Sequence, residues 1–470
     1  MQIPRPKRWE TLSAVPILAG LYWLLASGDG HWLIWALLPG GVLLGTGVSL
    51  LLMPGDPRVT SYMSLASVVG ALIALLLFVF GPSALAFVAF FGCVASFLVA
   101  GRVALTAEPL PAGAPAPELS LAMDAKSALD EAMLGYFVAG IDLPSGDDAD
   151  RMCEDALKLD ALIRERGWDA NPAAYHAEPP PPEGVTARER QIFGYRYEEL
   201  SWDSGYIPDE SLPGAAAWTS QVTNNRCVVR VLRHPGPPRP WLLCVHGYRM
   251  GMPWLDLGLF HPRWLHARLG LNIVQPVLPL HGPRRVGLRS GDHFLDGDVL
   301  DLAHAEAHAL WDLRRTLAWI RQQEERPRIG AFGVSLGGYN VSLLATYDAG
   351  LDFVVAAIPV VDFATALWRF MPPAQLRYFT ARGVSESRYR QILAPVSPLA
   401  RAPLLDKDRL LILGGAADRI VVPQHPVQLS QHWGVPVTWY QGAHLTIRRE
   451  PETREVLREA LLRAGWPAVG

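Results

Sequence analysis

The sequence predicts an α/β domain with a mostly parallel sheet flanked by helices, preceded by about four transmembrane helices. Two patterns predict this fold class. Four long apolar runs fill the first hundred residues, and from about residue 185 short apolar strands alternate with helices. We therefore expect a membrane region at residues 1–104, a connector at 105–184 and a folded α/β domain at 185–470.

The membrane region is predicted from length and charge. Each run has about the length that a bilayer-spanning helix needs and contains no Asp, Glu, Lys or Arg. The runs are at residues 11–27, 31–53, 61–80 and 82–100. A buried core helix in a soluble protein is the alternative for each run, but four runs in succession favour the membrane.

The positions of basic residues predict the orientation. Two alternate loops contain no basic residue, whereas the N-terminus, the middle loop and the end of the region contain Arg5, Lys7, Arg8, Arg58 and Arg102. By the positive-inside rule, we expect an integral protein of a bacterial inner (plasma) membrane with its C-terminal domain in the cytoplasm. A signal peptide cleaved near Ser27 is the alternative for the first run, and it leaves the C-terminal domain on the same side.

The connector contains a Pro/Ala linker at residues 108–118 and two predicted helices. In the first helix Leu129, Met133, Tyr136 and Phe137 share one face, and in the second the apolar residues from 152 to 163 do so. We expect these faces to pack against the body of the protein. Lying on the membrane surface is the alternative, which the acidic polar faces disfavour.

The C-terminal domain is predicted from its alternating pattern. Strands are predicted at residues 227–232, 241–245, 271–277, 329–332, 353–360, 410–413 and 435–440. Helices are predicted at residues 255–269, 302–322, 339–347, 427–433 and 452–464. Because the strands are almost continuously apolar, they suit a parallel sheet covered on both faces.

A G-x-S-x-G motif at residues 333–337 follows one of these strands and leads into a helix. This context predicts that Ser335 lies on a strained nucleophile elbow, where the flanking glycines leave room for the turn. The first N–H groups of the following helix would point to the place where negative charge develops.

A serine nucleophile needs a base and an acid that orients the base. Asp418 and His444 each follow the carboxyl end of a predicted strand, and the chain order is Ser335, Asp418, His444. Asp362 is the alternative acid, or else a helix cap. For the oxyanion hole we expect the backbone N–H groups of Leu336 and Tyr248.

Several other functions are not indicated by the sequence. The net charge is −3 and no basic stripe suggests a nucleic-acid partner. The four cysteines form no C-x-x-C pair, and no H-E-x-x-H motif or grouped His and Asp set occurs. We therefore expect no metal and no cofactor.

Four segments together resemble the α/β-hydrolase superfamily: HGY at 246–248, GVSLGG at 333–338, GAADRIVVP at 415–423 and YQGAH at 440–444. The resemblance extends from about Arg188 to Ala464 and implies a Ser-His-Asp acyl-transfer enzyme. It also implies a cap over the pocket at about residues 363–408, where Trp368 could line the pocket.

Arg284 and Arg285 follow another predicted strand and are candidate ligands for a carboxylate or phosphate on the substrate, with a structural role as the alternative. Overall we expect a membrane-anchored serine hydrolase that cleaves a carboxylic ester or thioester, with a small or lipid-derived acyl substrate. A peptidase or amidase with the same triad is the alternative enzyme. A membrane scaffold that retains the fold without turnover is the alternative outside enzymes.

Overall fold

The computed structural model describes residues 9–26, 36–53, 56–81, 83–141, 143–296 and 298–466. The chain forms two compact units. The helical unit comprises Met1–Gly140, Gly415–Gln424 and Trp439–Glu450, and the sheet unit comprises Ile141–Gly414, His425–Thr438 and Pro451–Gly470. Two short segments from the far end of the chain therefore belong with the N-terminal helices. The predicted division at residues 104 and 184 stays a prediction.

The helical unit is built from apolar helices followed by one helix that also contains charged residues. Its helices are α1 (Trp9–Ala26), a π-helical turn (Leu37–Gly41) that continues into α2 (Val42–Leu52), α3 (Pro57–Phe80), α4 (Ser83–Ala107) and α5 (Leu121–Ala139). The core contains Trp23, Met63 and Cys93, and the Trp23 indole N–H donates to the Cys93 Sγ at 3.3 Å. Asp56 is the N-cap of α3: its side chain accepts from the Arg58 N–H, and Pro57 occupies the first helical position.

Two of these helices, over Pro57–Phe80 and Ala84–Ala107, are long and apolar enough to cross a membrane. Two shorter apolar helices, Thr11–Ala26 and Leu37–Leu52, correspond to the other predicted runs. The predicted number of four spans is therefore not confirmed. The beginning of the second predicted run and the alternative cleavage site near Ser27 lie outside the described residues.

The buried face of α5 differs from the predicted one. Leu129 and Tyr136 are 44% and 46% exposed, whereas Asp130 and Glu131 are fully buried. The prediction assumed that the apolar face of the helix turns inward. It was wrong because the acidic face finds partners elsewhere in the helical unit, which are described below.

The sheet unit is centred on nine strands in the order β1-β2-β3-β5-β4-β6-β7-β8-β9. The strands are β1 (Thr186–Ile192), β2 (Tyr195–Asp203), β3 (Arg226–Leu232), β4 (Trp241–Val245), β5 (Asn272–Pro276), β6 (Ile329–Val334), β7 (Phe353–Ala357), β8 (Leu410–Gly415) and β9 (Val437–Tyr440). The first four strands in this order pair antiparallel, and β5, β4, β6, β7 and β8 pair parallel. The predicted α/β-hydrolase fold with a mostly parallel sheet is confirmed.

Ten helices of the described residues accompany this sheet. They are α6 (Asp147–Glu165), α7 (Ala215–Thr219), α8 (Pro253–Leu259), α9 (Val299–Arg321), α10 (Leu336–Leu344), α11 (Phe363–Phe370), α12 (Pro373–Ala381), α13 (Glu386–Ile392), α14 (Gln424–Trp433) and α15 (Pro451–Arg463). Short 3₁₀ turns lie at Pro172–Tyr175, Gly282–Arg284, Ala394–Val396, Lys407–Arg409 and His444–Arg449, and a π-helical segment lies at Arg263–Arg268.

The seven predicted strands are present, but β1 and β2 were missed. Strand β1 reads TARERQI and is exposed along almost its whole length, so it lacks the apolar signal of a strand. Strand β7 ends at Ala357, earlier than predicted, because Ile358 has a positive φ of 42° and Pro359 follows it. The predicted helix at 255–269 is interrupted at His261, which has a φ of 43° and precedes Pro262.

Candidate active site

Ser335 lies on the turn between β6 and α10, as predicted. Its φ of 60° and ψ of −115° are strained for a residue with a side chain, which confirms the predicted backbone strain. Such a conformation costs about 1–3 kcal/mol and persists only where the surroundings hold it. The Ser335 N–H donates to the Ala357 carbonyl at 2.9 Å, which ties the turn to the neighbouring strand β7.

The glycines around Ser335 are required by close backbone contacts. A Cβ on Gly333 would collide with the carbonyl oxygen of Gly337, and a Cβ on Gly337 would collide with that of Val245. The turn therefore packs directly against the end of β4 and the loop that follows it. The geometry explains the two glycines of the motif by sterics alone.

Both predicted oxyanion donors lie in the sheet unit with Ser335. Leu336 is the first residue of α10, so its N–H belongs to the group that has no partner inside the helix. The loop after β4 runs beside the nucleophile, because a Cβ built on Gly247 would lie 3.5 Å from the Ser335 Cβ. Tyr248 follows in this loop, and its ring packs against His281 with centroids 5.9 Å apart. The oxyanion roles of Tyr248 and Leu336 stay predictions.

His246 is held in this loop by hydrogen bonds of both ring nitrogens to the backbone. Its Nδ1 lies 2.8 Å from the Gly247 carbonyl oxygen, and its Nε2 accepts the Leu278 N–H at 3.1 Å. Burial lowers the pKa of His246 to about 3, so the ring stays neutral near neutral pH. Both nitrogens are engaged with the backbone.

Asp418 and His444 form a hydrogen-bonded pair in the helical unit. The His444 Nδ1 donates to the Asp418 Oδ2 at 2.7 Å. The other oxygen of Asp418 accepts the N–H groups of Ile420 and Val421 at 3.0 and 2.7 Å, which fixes the carboxylate. With Nδ1 as the donor, the Nε2 of a neutral His444 is the nitrogen that can accept a proton.

The environment of His444 favours its charged form. Burial by itself lowers the pKa of His444, but the negative charge of Asp418, the hydrogen bond to it and then the charge of Asp130 outweigh burial and raise that pKa. A base with a raised pKa accepts a proton readily, which suits a group that would activate a serine hydroxyl.

Asp362, the alternative acid, is a helix cap. Its carboxylate accepts from the N–H and the hydroxyl of Thr365 at 3.2 and 2.8 Å at the start of α11, and it pairs with the Arg390 Nε at 2.7 Å. Asp418 is the carboxylate that is bonded to His444.

Arg284 does not fit the substrate-binding role considered for it. Its side chain is fully buried, with the guanidinium donating to the carbonyls of Asn224 and Val277 and pairing with Asp312 at 2.8 Å. It therefore has the structural role that was the alternative. Arg285 is exposed, and Trp368 packs on Tyr389 with ring centroids 5.3 Å apart. Substrate contacts of Arg285 and Trp368 stay predictions.

The fold also brings together a His and Asp group that the sequence pattern did not indicate. Possible ligand atoms of His293, Asp296 and Asp301 lie within 4.8 Å of one another. His293 pairs with Asp296 at 3.2 Å and is exposed. Acidic groups of this kind are common at protein surfaces, so we assign it no role.

The important residue that sequence reasoning missed is Asp130. Its carboxylate accepts the N–H groups of Arg419, His444 and Leu445, so it contacts both loops that carry the Asp418–His444 pair. In the sequence it is one acidic residue beside another on a predicted helix, a pattern typical of a solvated face.

Comparisons with known proteins agree with this fold. Residues 312–451 match the Prolyl oligopeptidase family, and this segment contains Ser335, Asp418 and His444. Over 302 residues the chain is 42% identical to "Uncharacterized protein MT2702" of Mycobacterium tuberculosis (strain CDC 1551 / Oshkosh). The aligned segment covers 64% of this chain and 72% of that relative. The chain is 41% identical over the same length to "Uncharacterized protein Rv2627c" of strain ATCC 25618 / H37Rv, with the same coverage.

Among solved structures, acetyl xylan esterase 1 from Thermoanaerobacterium sp. JW/SL YS485 is similar over 65% of this chain and 90% of its own, with 14% identity and a TM-score of 0.39. At that TM-score the similarity has no bearing on what this chain does. The match to residues 312–451 and the observed sheet place the C-terminal part of the chain among serine hydrolases of the α/β-hydrolase superfamily.

Proposed function

We propose that this chain, which belongs to the family of those two Mycobacterium tuberculosis proteins, is a membrane-anchored serine hydrolase that cleaves carboxylic esters or thioesters. The observation that carries the proposal is the strained backbone of Ser335 on a strand-turn-helix. A turn with no chemistry has no need of a serine in a conformation that glycine adopts at lower cost.

In the proposed mechanism, the His444 Nε2 takes the proton of the Ser335 hydroxyl as the Ser335 Oγ attacks the substrate carbonyl. The N–H groups of Leu336 and Tyr248 stabilise the oxyanion. His444 then protonates the leaving group, and an activated water releases the acyl group. Asp418 holds the His444 tautomer that has Nε2 as the acceptor.

The sheet topology supports the joint action of these residues. Strands β6, β7 and β8 run parallel, so their carboxyl ends lie at one edge of the sheet. Ser335 follows β6 directly, and Asp418 follows the last residue of β8 by three positions. Open α/β sheets bind their ligands at this edge.

Membrane anchoring is supported by the surface of the helical unit. Large apolar side chains on its helices are exposed, among them Phe80 at 80% and Leu25 at 78%. Exposed apolar side chains of this kind suit contact with lipid, and two helices have the length to span a bilayer. We propose four spans, the catalytic part in the cytoplasm and a lipid-derived acyl substrate that reaches the enzyme from the bilayer.

A peptidase or amidase is the second candidate, and the match to the Prolyl oligopeptidase family favours it. The same nucleophile and base serve esters and amides, so the substrate decides between the candidates. Purified protein assayed with acyl p-nitrophenyl esters and with aminoacyl p-nitroanilides separates them. Faster turnover of the anilides would favour the peptidase.

The proposal is tested by treating membranes that contain the wild type or Ser335→Ala with a fluorophosphonate, which reacts with activated serines. We expect labelling of the wild type only. No labelling of a folded wild type would contradict a working hydrolase and would favour a scaffold. Labelling that persists in Ser335→Ala would show that another serine is the nucleophile.

A further inference from the structure

A buried acidic pair in α5 contacts the two loops that carry the proposed acid and base. Asp130 and Glu131 are adjacent in this helix, and neither is exposed to solvent. A buried carboxylate costs free energy unless charges or hydrogen bonds compensate it, so both residues need partners inside the protein. The inference drawn from them rests on the proposed function.

Asp130 bridges the two loops through three backbone hydrogen bonds. Its Oδ2 accepts the Arg419 N–H at 3.1 Å and the His444 N–H at 2.7 Å, and its Oδ1 accepts the Leu445 N–H at 3.0 Å. Arg419 follows Asp418 in the chain, so one carboxylate fixes the backbone of the proposed base and of the residue next to its acid partner.

Glu131 connects the loop that carries Asp418 to the apolar helices. Its Oε1 accepts from the Arg419 Nε at 3.1 Å, and its Oε2 accepts the hydroxyls of Thr60 and Ser61 in α3 at 3.0 and 2.6 Å. The Arg419 Nη2 also pairs at 2.8 Å with Glu108, the residue that follows α4. The arginine beside Asp418 is thereby tied to α5 and to the end of α4.

Close helix packing holds α5 in place. A Cβ on Gly101 in α4 would collide with the Asp124 carbonyl of α5, and a Cβ on Gly135 in α5 would lie 2.6 Å from the Ser61 carbonyl oxygen of α3. Helix α5 is therefore closely packed against α3 and α4, as the helix of a positioning group needs to be.

We propose that Asp130 is a positioning residue for the hydrolase reaction, which fixes the loops of Asp418 and His444 against the apolar helices and places a second carboxylate beside His444. Catalysis depends on geometry, and a misplacement of about 1 Å can cost about 100-fold in rate. The N-terminal helices are on this account part of the catalytic apparatus as well as an anchor.

The charge of Asp130 acts on His444 in addition to its hydrogen bonds. The charged and titratable groups on the elements around Asp130 include Lys126, Glu131 and the Arg102-paired Asp124 of α5, Glu108 after α4, and Asp418, Arg419, His444 and Glu450 of the two loops. Arg419 is paired with Glu108 and Glu131, and Lys126 with Glu450. The charged groups that act on Asp130 are then Asp418 and His444.

These groups set the protonation of Asp130. Burial, followed by repulsion from Asp418, raises the pKa of Asp130 to about 7, while His444 and the backbone N–H groups oppose the rise. Above that pH the ionised Asp130 contributes to the raised pKa of His444. Removing the charge should therefore move the titration of His444 to lower pH.

The test uses the full-length chain in detergent and measures the rate of fluorophosphonate labelling of Ser335 against pH, for the wild type and Asp130→Asn. We expect the plateau rate of the variant to fall by about 10- to 100-fold, because an amide cannot accept on both of its heavy atoms. We also expect the midpoint of the pH profile to move to lower pH.

Asp124→Asn is the matched control. Asp124 is also a buried carboxylate of α5, but its partner is Arg102, outside both loops. We expect this variant to keep the wild-type midpoint and plateau. If Asp124→Asn reproduces the effect of Asp130→Asn, the effect is a general loosening of α5 and the proposal is overturned. An unchanged plateau and midpoint in Asp130→Asn overturn it as well.

Asp130→Glu covers the case in which Asp130→Asn does not fold. It keeps the charge and displaces the carboxylate by one methylene, so we expect the wild-type midpoint with a reduced plateau, and a wild-type plateau would overturn the proposal. Failure of the hydrolase proposal is recognised separately, because the wild type itself would then not be labelled at Ser335.

Discussion

Ser335 lies on a turn whose strand and helix are adjacent in the chain and which packs against Val245 and Ala357, whereas the backbone of His444 is held by a residue 314 positions earlier. Around Ser335, a strand, a turn with two close glycine contacts and a helix create the strained backbone. Around His444, the carboxylates of Asp418 and Asp130 hold the ring and the backbone. The comparison shows that the motif around Ser335 can be recognised in a few adjacent residues, while the partners that hold Asp418 and His444 come from distant segments.

The largest expected effect concerns the Asp418–His444 pair. We expect Asp418→Asn to lower the labelling rate of Ser335 by about 10⁴-fold, the cost of the equivalent change in a well-studied Ser-His-Asp triad, because His444 loses its orienting acceptor. Asp362→Asn is the matched control, since an asparagine still caps α11 and only an ion pair with the half-exposed Arg390 side chain is lost. A wild-type rate in Asp418→Asn would show that Asp418 is not the acid.

The second largest effect concerns the close packing of the turn that carries Ser335. Gly337→Ala places a methyl group into the Val245 carbonyl, so we expect a loss of about 1–3 kcal/mol or more in stability and little labelling of Ser335. Gly258→Ala is the control, because the space around Gly258 in α8 is open and alanine favours helix by about 1 kcal/mol. Thermal unfolding measures both, and equal melting temperatures for the two variants would refute the steric account.

The smallest effect is a pH dependence of stability. Because the folded-state pKa of His444 lies above its ordinary value of 6.5, charged His444 stabilises the fold fully below pH 6.5. This contribution is lost as pH rises through the raised pKa. We expect the difference in melting temperature between the wild type and His444→Gln to be largest at acidic pH and to shrink on raising the pH. A difference that grows with pH would contradict a raised pKa.

The strands from β3 to β9 and the turn at Ser335 could be predicted because their signals are local. Apolar runs of strand length, glycines at fixed spacing and polar residues after strand ends need only a few neighbours to be recognised. Strand β1 was missed because its residues are polar and exposed, so pairing with β2 alone places it in the sheet. The number of membrane spans was not confirmed, since length and composition identify two helices among the described residues.

The sequence by itself determined the α/β fold, the strained Ser335 turn and the order of Ser335, Asp418 and His444. Only the tertiary structure decided which carboxylates are buried and with whom they pair. Asp130 and Glu131 turn inward while Leu129 turns outward, and Arg284 is enclosed by Asn224 and Asp312. The physical reason is that a buried charge is tolerated only where other segments supply its hydrogen bonds and counter-charges. Such partners produce no repeating sequence pattern from which they could be predicted.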